Sequence, residues 1–324
     1  RGRCSRCLGA LSSLWGLGFL VGLAVITACE ALGASGEPGA DPPWRRQPLW
    51  LRLPAPTAAW IAVALAGRQL LQLRRRRGRC PELADLTADV LLLPPTLGLL
   101  ALQCLVALPD DDAELRRPAA ALHAAALWQS WALWSLQRLL GRGARAPAGP
   151  AAASAEAKPF FGPWRRLCDV GLQQYLLLSA VAAALEALPR RAAPARPGAC
   201  AAALGVDVDC EAVFARLRDH ATGALWYSCL IAIYSISCLE SATPGGARPR
   251  RARWKFRGAK LAVAVTTVQR LAFGLGATVG LWREALACLA HAYLLCLEAC
   301  GLAALHLWAH PAGGELCEPG PLAP

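Results

Sequence analysis

The sequence contains no methionine and no asparagine, and only 17% of its residues are charged and 7% aromatic. Without Asn there is no N-x-S/T acceptor, so N-glycosylation is excluded. So small a charged fraction, beside 56% hydrophobic residues, cannot cover the surface of an ordinary soluble domain of this length, and most of the apolar surplus must face lipid. There is no G-x-S-x-G, no H-E-x-x-H and no Walker loop, which leaves no hydrolase, kinase or metalloprotease signature and no route for ATP to drive work by this chain alone. No triad, metal set or paired carboxylates appears either, so an enzyme is not expected and no cofactor or metal is implied. The ten-residue alternation of a membrane β-barrel is also missing. The chain opens on Arg1 and reads as a processed or incomplete product of a GC-rich coding sequence.

What the sequence does have is a series of apolar segments, each about as long as a bilayer is thick. Hydrocarbon cannot hydrogen-bond an exposed peptide group, so a spanning chain must be helical or a closed barrel, and a helix needs about 20 apolar residues to cross. Residues 8–32 form the first such segment, behind the basic residues Arg1, Arg3 and Arg6. That is the layout of a signal peptide or an anchor helix; small residues around Ala31 to Ser35 suit cleavage, whereas the length of the apolar run favours the anchor. A Pro/Gly-rich linker at 36–53, with Trp44 and Trp50 as interfacial anchors, leads to seven further spans near 54–73, 84–108, 118–140, 165–188, 212–240, 256–278 and 283–309. The fold class expected is therefore an all-α polytopic membrane protein: a seven-helix bundle over 54–310, a signal peptide or N-terminal signal-anchor helix within 1–35, and a short cytoplasmic tail at 311–324.

The net charge of +12 is concentrated in alternate loops. Arg74 to Arg77 and Arg79 crowd the first loop, Arg138, Arg142, Arg145, Lys158, Arg165 and Arg166 the third, and Arg248, Arg250, Arg251, Arg253, Lys255 and Arg257 the fifth. Between them lie an acidic loop with Asp110, Asp111, Asp112 and Glu114, and a balanced one with Arg190, Arg191 and Arg196 against Asp207, Asp209 and Glu211. Basic loops stay cytoplasmic, which places the C-terminus inside and the start of the seven-helix unit outside. The same distribution reads as topology and not as a nucleic-acid interface.

Several segments occur in a familiar order. Cys80-Pro81-Glu82 enters a helix with Pro94 at its middle; Ala121 to Gly141 follows; then Arg166-Leu167-Cys168 with Gln173-Gln174-Tyr175; then Lys255-Phe256 with Lys260 and Gln269; and finally Cys296-Leu297-Glu298. In this order they resemble the organic solute transporter alpha family, which also includes transmembrane protein 184, across the whole seven-helix unit. The resemblance implies facilitated, substrate-gradient-driven transport of amphipathic organic solutes. Arg270 departs from that pattern, following Gln269 where relatives carry a small or apolar residue.

Ionisable and amide side chains at membrane depth are costly unless they face a partner or water, and so mark the candidate path. Glu298 and His291 stand seven residues apart on the last helix, and Arg270 and Gln269 lie deep in the preceding one. They are expected on one polar stripe, where Arg270 and Glu298 either pair as interhelical glue or border a solute or proton path. Gln173, Gln174 and Tyr175, with Gln129 and His123, could extend the lining or simply bind helix to helix. Glu186, His220, Glu240 and His306 sit near helix ends and read as interfacial. Pro94-Pro95 should kink its span.

Of the 14 cysteines only Cys200 and Cys210 share an outside loop, so a disulfide there is open. Cys4-x-x-Cys7 lacks the second pair a zinc site needs and suits palmitoylation if anything. The expected partners are the lipid bilayer and an organic small-molecule solute, with homo- or hetero-oligomers compatible and nucleic acid excluded. The expected location is an integral, multi-pass position in the plasma membrane or an endomembrane. The alternative is a seven-helix signalling or scaffold protein without transport activity. A polar cavity continuous to one side would favour transport, and a dry, tightly packed bundle the scaffold.

Overall fold

The computed structural model describes residues 21, 23–25, 52–76, 81–107, 116–143, 161–187, 210–242 and 250–309. Eight long helices make up almost all of these: α1 (Pro54–Arg76), α2 (Pro81–Leu91), α3 (Leu93–Val106), α4 (Arg116–Gly143), α5 (Phe161–Ala187), α6 (Cys210–Ala242), α7 (Arg250–Thr278) and α8 (Glu284–Ala309).

The expected kink at Pro94-Pro95 is the break between α2 and α3. Neither proline has an N–H, so the carbonyls of Val90 and Leu91 lose the donors that would close the next helical turn. The helix is re-stitched around them: Leu92 N–H donates to Ala88 O at 2.9 Å and Thr96 N–H to Leu92 O at 3.2 Å. Together the two pieces form one candidate span, Pro81–Val106, whose apolar window is 89% buried, so it runs through the middle of the bundle.

Five helices among the described residues are long and apolar enough to cross a membrane: Pro81–Val106, Trp164–Glu186, Arg216–Ser241, Arg257–Thr278 and Glu284–Ala309. The other two expected spans are helices of sufficient length, 23 residues in α1 and 28 in α4, but they are less apolar. Arg68, Gln69 and Gln72 interrupt α1, and His123 and Gln129 interrupt α4. The N-terminal segment lies outside the described residues apart from Val21 and residues 23–25, of which Leu23 packs into the main core cluster. The basic-loop residues Arg77, Arg79, Arg145 and Lys158, the acidic loop and the Cys200–Cys210 pairing also lie outside them.

Small residues let the central helices approach closely, which is how helices associate where lipid offers no hydrophobic contrast. On α1, Ala55, Ala59, Ala62 and Ala66 recur every three to four residues and are all at most 1% exposed. This stripe faces α3 and α8, and α3 in turn packs on α8 and α4. The sequentially adjacent helices α4 and α5, α5 and α6, and α7 and α8 also pack together, whereas α7 touches α6 and α4 only lightly. The window of α7 is accordingly only 17% buried. That loose seam between α7 and its neighbours is where the interior opens.

Candidate functional site

The turn between α7 and α8 sets the site. Gly280 adopts a positive φ of 76°, which an L side chain resists, and it lets α7 end and the chain reverse within five residues. Leu281 N–H donates to Gly276 O at 2.8 Å and Gly280 N–H to Ala277 O at 3.1 Å, satisfying carbonyls at the helix end. Because the reversal is tight, Arg270, eight residues before the end of α7, stands level with His291, seven residues into α8.

Around this level five helix segments enclose a cavity of about 640 Å³. Ala119, Leu122 and His123 of α4, Glu186 of α5, Arg218, Asp219, Thr222 and Trp226 of α6, Arg270, Leu271, Phe273, Gly274, Leu275, Ala277 and Thr278 of α7, and Glu284, Ala287, Cys288 and His291 of α8 line it. All five elements contribute the ends that the loop charges assign to the outside. Below it lies a second, narrow cavity of about 40 Å³, lined among others by Gln129, Tyr175, Cys229, Thr266 and Thr267. It has room for one or two water molecules. Leu122, Trp226, Arg270 and His291 border both cavities and so form the floor of one and the roof of the other.

Arg270 is held at this junction by His123. The guanidinium Nη2 lies 2.7 Å from His123 Nε2, and His123 Nδ1 lies 2.9 Å from the Ala119 carbonyl oxygen. A guanidinium can only donate, so Nε2 must accept; Nδ1–H then donates to Ala119, and the imidazole is neutral with its tautomer fixed. Phe273 packs beside His291 with ring centroids 6.0 Å apart, and beside Trp282 at 5.2 Å, giving the mouth an aromatic wall. Deeper in, Gln129 Nε2 donates to Thr266 Oγ1 at 2.8 Å, and Cys229 Sγ lies 3.1 Å from Thr267 Oγ1. At the opposite end of α7, Lys260 pairs with Glu240 of α6.

The single polar stripe expected from the sequence is two separate groups. Arg270 and His291 face the cavities, while Gln269 donates to Glu298 and neither of these lines them. Arg270 and Glu298 are not paired, because successive residues on a helix point about 100° apart and Gln269, not Arg270, faces Glu298. Gln129 lines the deeper cavity. Gln173 and Gln174 do not extend the lining: both are exposed on the outer surface of α5, whose inward face is Leu172, Tyr175, Ser179, Ala182 and Glu186. Glu186 and His306, read as interfacial, are buried, at 8% and 0% exposure. The sequence reading missed Trp226, Thr222, Thr266 and Thr267. Thr222 and Trp226 are four apart on α6, one turn, but nothing in their chemistry distinguishes them from ordinary helix contacts.

Residues 207–313 match the family model described as organic solute transporter Ostalpha. This segment belongs to that family. It holds α6, α7 and α8 entire, and with them Arg270, His291, the Lys255 to Gln269 motif and Cys296-Leu297-Glu298. The motif resemblances at Cys80 to Gly141 and Arg166 to Tyr175 lie before the matched Ostalpha segment. No curated protein and no solved structure gives a significant match to the chain. With its several apolar helices and its segment similar to a transporter family, the chain is an integral, multi-pass membrane protein.

Proposed function

We propose that this protein, alone or as a subunit, is a facilitator that lets amphipathic organic solutes cross the membrane down their own gradient. The observation that carries this reading is the pair of adjoining cavities, wide at one end of the bundle and narrow within, meeting at Arg270 and His291. A scaffold needs no such space. A cavity of about 640 Å³ falls within the size range of small-molecule sites, and its wall combines Leu122, Trp226 and Phe273 with Arg270, Glu186, Arg218 and Asp219, apolar and charged surfaces side by side. Amphipathic solutes require that combination.

In this reading α1 and α4 also cross, giving seven spans, and the wide cavity faces outward while the C-terminus is cytoplasmic. The Lys260–Glu240 pair, the Gln129–Thr266 bond and the narrow lower cavity support a closed inner half, which in this reading makes the arrangement outward-open. His123 fixes Arg270 without neutralising it, and the guanidinium presents its charge to whatever enters. The test is solute uptake into vesicles containing the purified protein. Uptake of an organic amphipath that saturates, runs in either direction with the gradient and falls at least tenfold in Arg270→Gln is expected. Vesicles no more permeable than protein-free ones, with any partner subunit supplied, would sink the proposal.

A further inference from the structure

The contact between Gln269 of α7 and Glu298 of α8 is incomplete as two side chains alone. Gln269 Nε2 donates to Glu298 Oε1. The two remaining oxygens, Gln269 Oε1 and Glu298 Oε2, are both buried and both without a hydrogen-bond partner. An amide oxygen and a carboxylate oxygen can only accept, so neither can satisfy the other, and turning the amide over reproduces the same mismatch. A single proton removes it. Protonated on Oε2, Glu298 becomes a donor, and its O–H can point at Gln269 Oε1 while the amide N–H continues to point at Oε1 of the acid.

We propose that Glu298 is held as a neutral carboxylic acid, its proton shared with Gln269 in a cyclic, two-bond acid–amide pair that joins α7 to α8 within the membrane. The pair is a proton-binding site, filled from bulk water, that nothing in the family match assigns. Three observations support it beyond the geometry of the two groups. First, a carboxylate buried without a counter-charge costs several kcal/mol, whereas a neutral acid with both oxygens bonded does not incur that cost. Second, among the described residues no counter-charge reaches Glu298, and Gln269 is its one interacting side chain. The ionisable groups on the packed helices are elsewhere: Arg270 of α7 is on His123 of α4, Lys260 is on Glu240, and Arg68 of α1, Cys104 of α3, Arg138 of α4 and His291 and Cys296 of α8 make no contact with the acid. Third, α7 packs chiefly on α8, so a two-bond pair between them fixes the helix that forms one wall of the cavity.

This inference does not depend on whether a solute moves through the cavity, and its test does not measure transport. Infrared difference spectra between the wild-type protein and Glu298→Gln, both in lipid vesicles at neutral pH, are expected to show the carbonyl band of one protonated carboxylic acid, shifted in deuterated water. A difference spectrum containing only carboxylate bands would overturn the proposal. Stability gives the second reading. Glu298→Gln puts an amide N–H where the acid O–H is proposed to be, so its melting temperature should match wild type, as should the exchanged pair Gln269→Glu with Glu298→Gln. Gln269→Leu and Glu298→Ala should each melt several degrees lower. A Glu298→Gln protein as unstable as Glu298→Ala would show that the charge, not the proton, is what holds the helices.

Discussion

Gly98 should tolerate even one extra carbon poorly, and the cost can be worked from its surroundings. A Cβ built on Gly98 of α3 would lie 3.2 Å from Ala299 Cβ on α8, 3.3 Å from Ala59 Cα and 3.4 Å from Ala59 Cβ on α1. Carbon atoms in favourable contact sit about 3.5–4.0 Å apart, so the first two contacts are too short and the third is at the edge of ordinary contact. None can be relieved by rotating a side chain, because each atom is fixed to a backbone; α1 or α8 must move away. Overpacking of this kind typically costs about 1–3 kcal/mol. Gly67 of α1 supplies the control, since a Cβ there meets nothing within 4 Å. Both substitutions to Ala share the same helix-propensity gain of roughly 0.5–1 kcal/mol, which therefore cancels in their difference. Gly98→Ala should accordingly be less stable than Gly67→Ala by about 1–3 kcal/mol, with Gly67→Ala slightly more stable than wild type. Unfolding in a rising fraction of sodium dodecyl sulfate, followed by circular dichroism of the purified protein, reads both. Coincident transitions for the two variants would refute the close approach of α1, α3 and α8.

Arg270 and Glu298 engage different partners, so Arg270→Gln and Glu298→Gln should be additive within about 0.5 kcal/mol in a double-mutant cycle of stability. Arg270→Gln with His123→Leu should instead couple, because removing His123 alone takes from a guanidinium the partner it donates to; a hydrogen bond to a charged group is worth about 1.5–3 kcal/mol, and zero coupling would remove His123 from the site. The Gln129–Thr266 bond, measured by Gln129→Leu and Thr266→Val in the same way, should give about 0.6 kcal/mol, the usual worth of a hydrogen bond between membrane helices, and no coupling would mean the two are not bonded in the bilayer. Cysteines introduced at Arg76 and Arg251 should be protected from an impermeant thiol reagent in intact cells and react after permeabilisation; labelling in intact cells would invert the topology.

The helices were legible in the sequence because length and apolarity act locally. The expected span at 84–108 is present as Pro81–Val106, and the broken geometry inside it follows directly from two adjacent residues that lack an N–H. The spans at 165–188, 212–240, 256–278 and 283–309 likewise correspond to α5 to α8 within a few residues. The helices at 54–73 and 118–140 were expected as spans like the others but are less apolar, for a physical reason: polar residues that pack inward in a bundle lower the apolarity by which a span is recognised. Gln69, His123 and Gln129 are all buried, and all three count against their helices in any reading of hydropathy.

The polar site was only partly legible. Period and depth placed Arg270 and His291 together, but period alone could not say that Gln269 rather than Arg270 meets Glu298, since both lie at the same depth and differ only in direction around the helix. Nor could it turn Gln173 and Gln174 outward, because the burial of α5 along Leu172, Tyr175 and Ser179 depends on where α4 and α6 pack against it. The sequence by itself determined the solvent, the helical fold, the break at Pro94-Pro95 and the family resemblance, all properties of short stretches acting on a bilayer or a backbone. The pairing of Arg270 with His123 and Gln269 with Glu298, and the cavity above them, were decided only by tertiary structure, because a polar side chain in a membrane bundle bonds whatever neighbouring helix its own rotation presents, and that rotation is set by packing along the whole length of the helix.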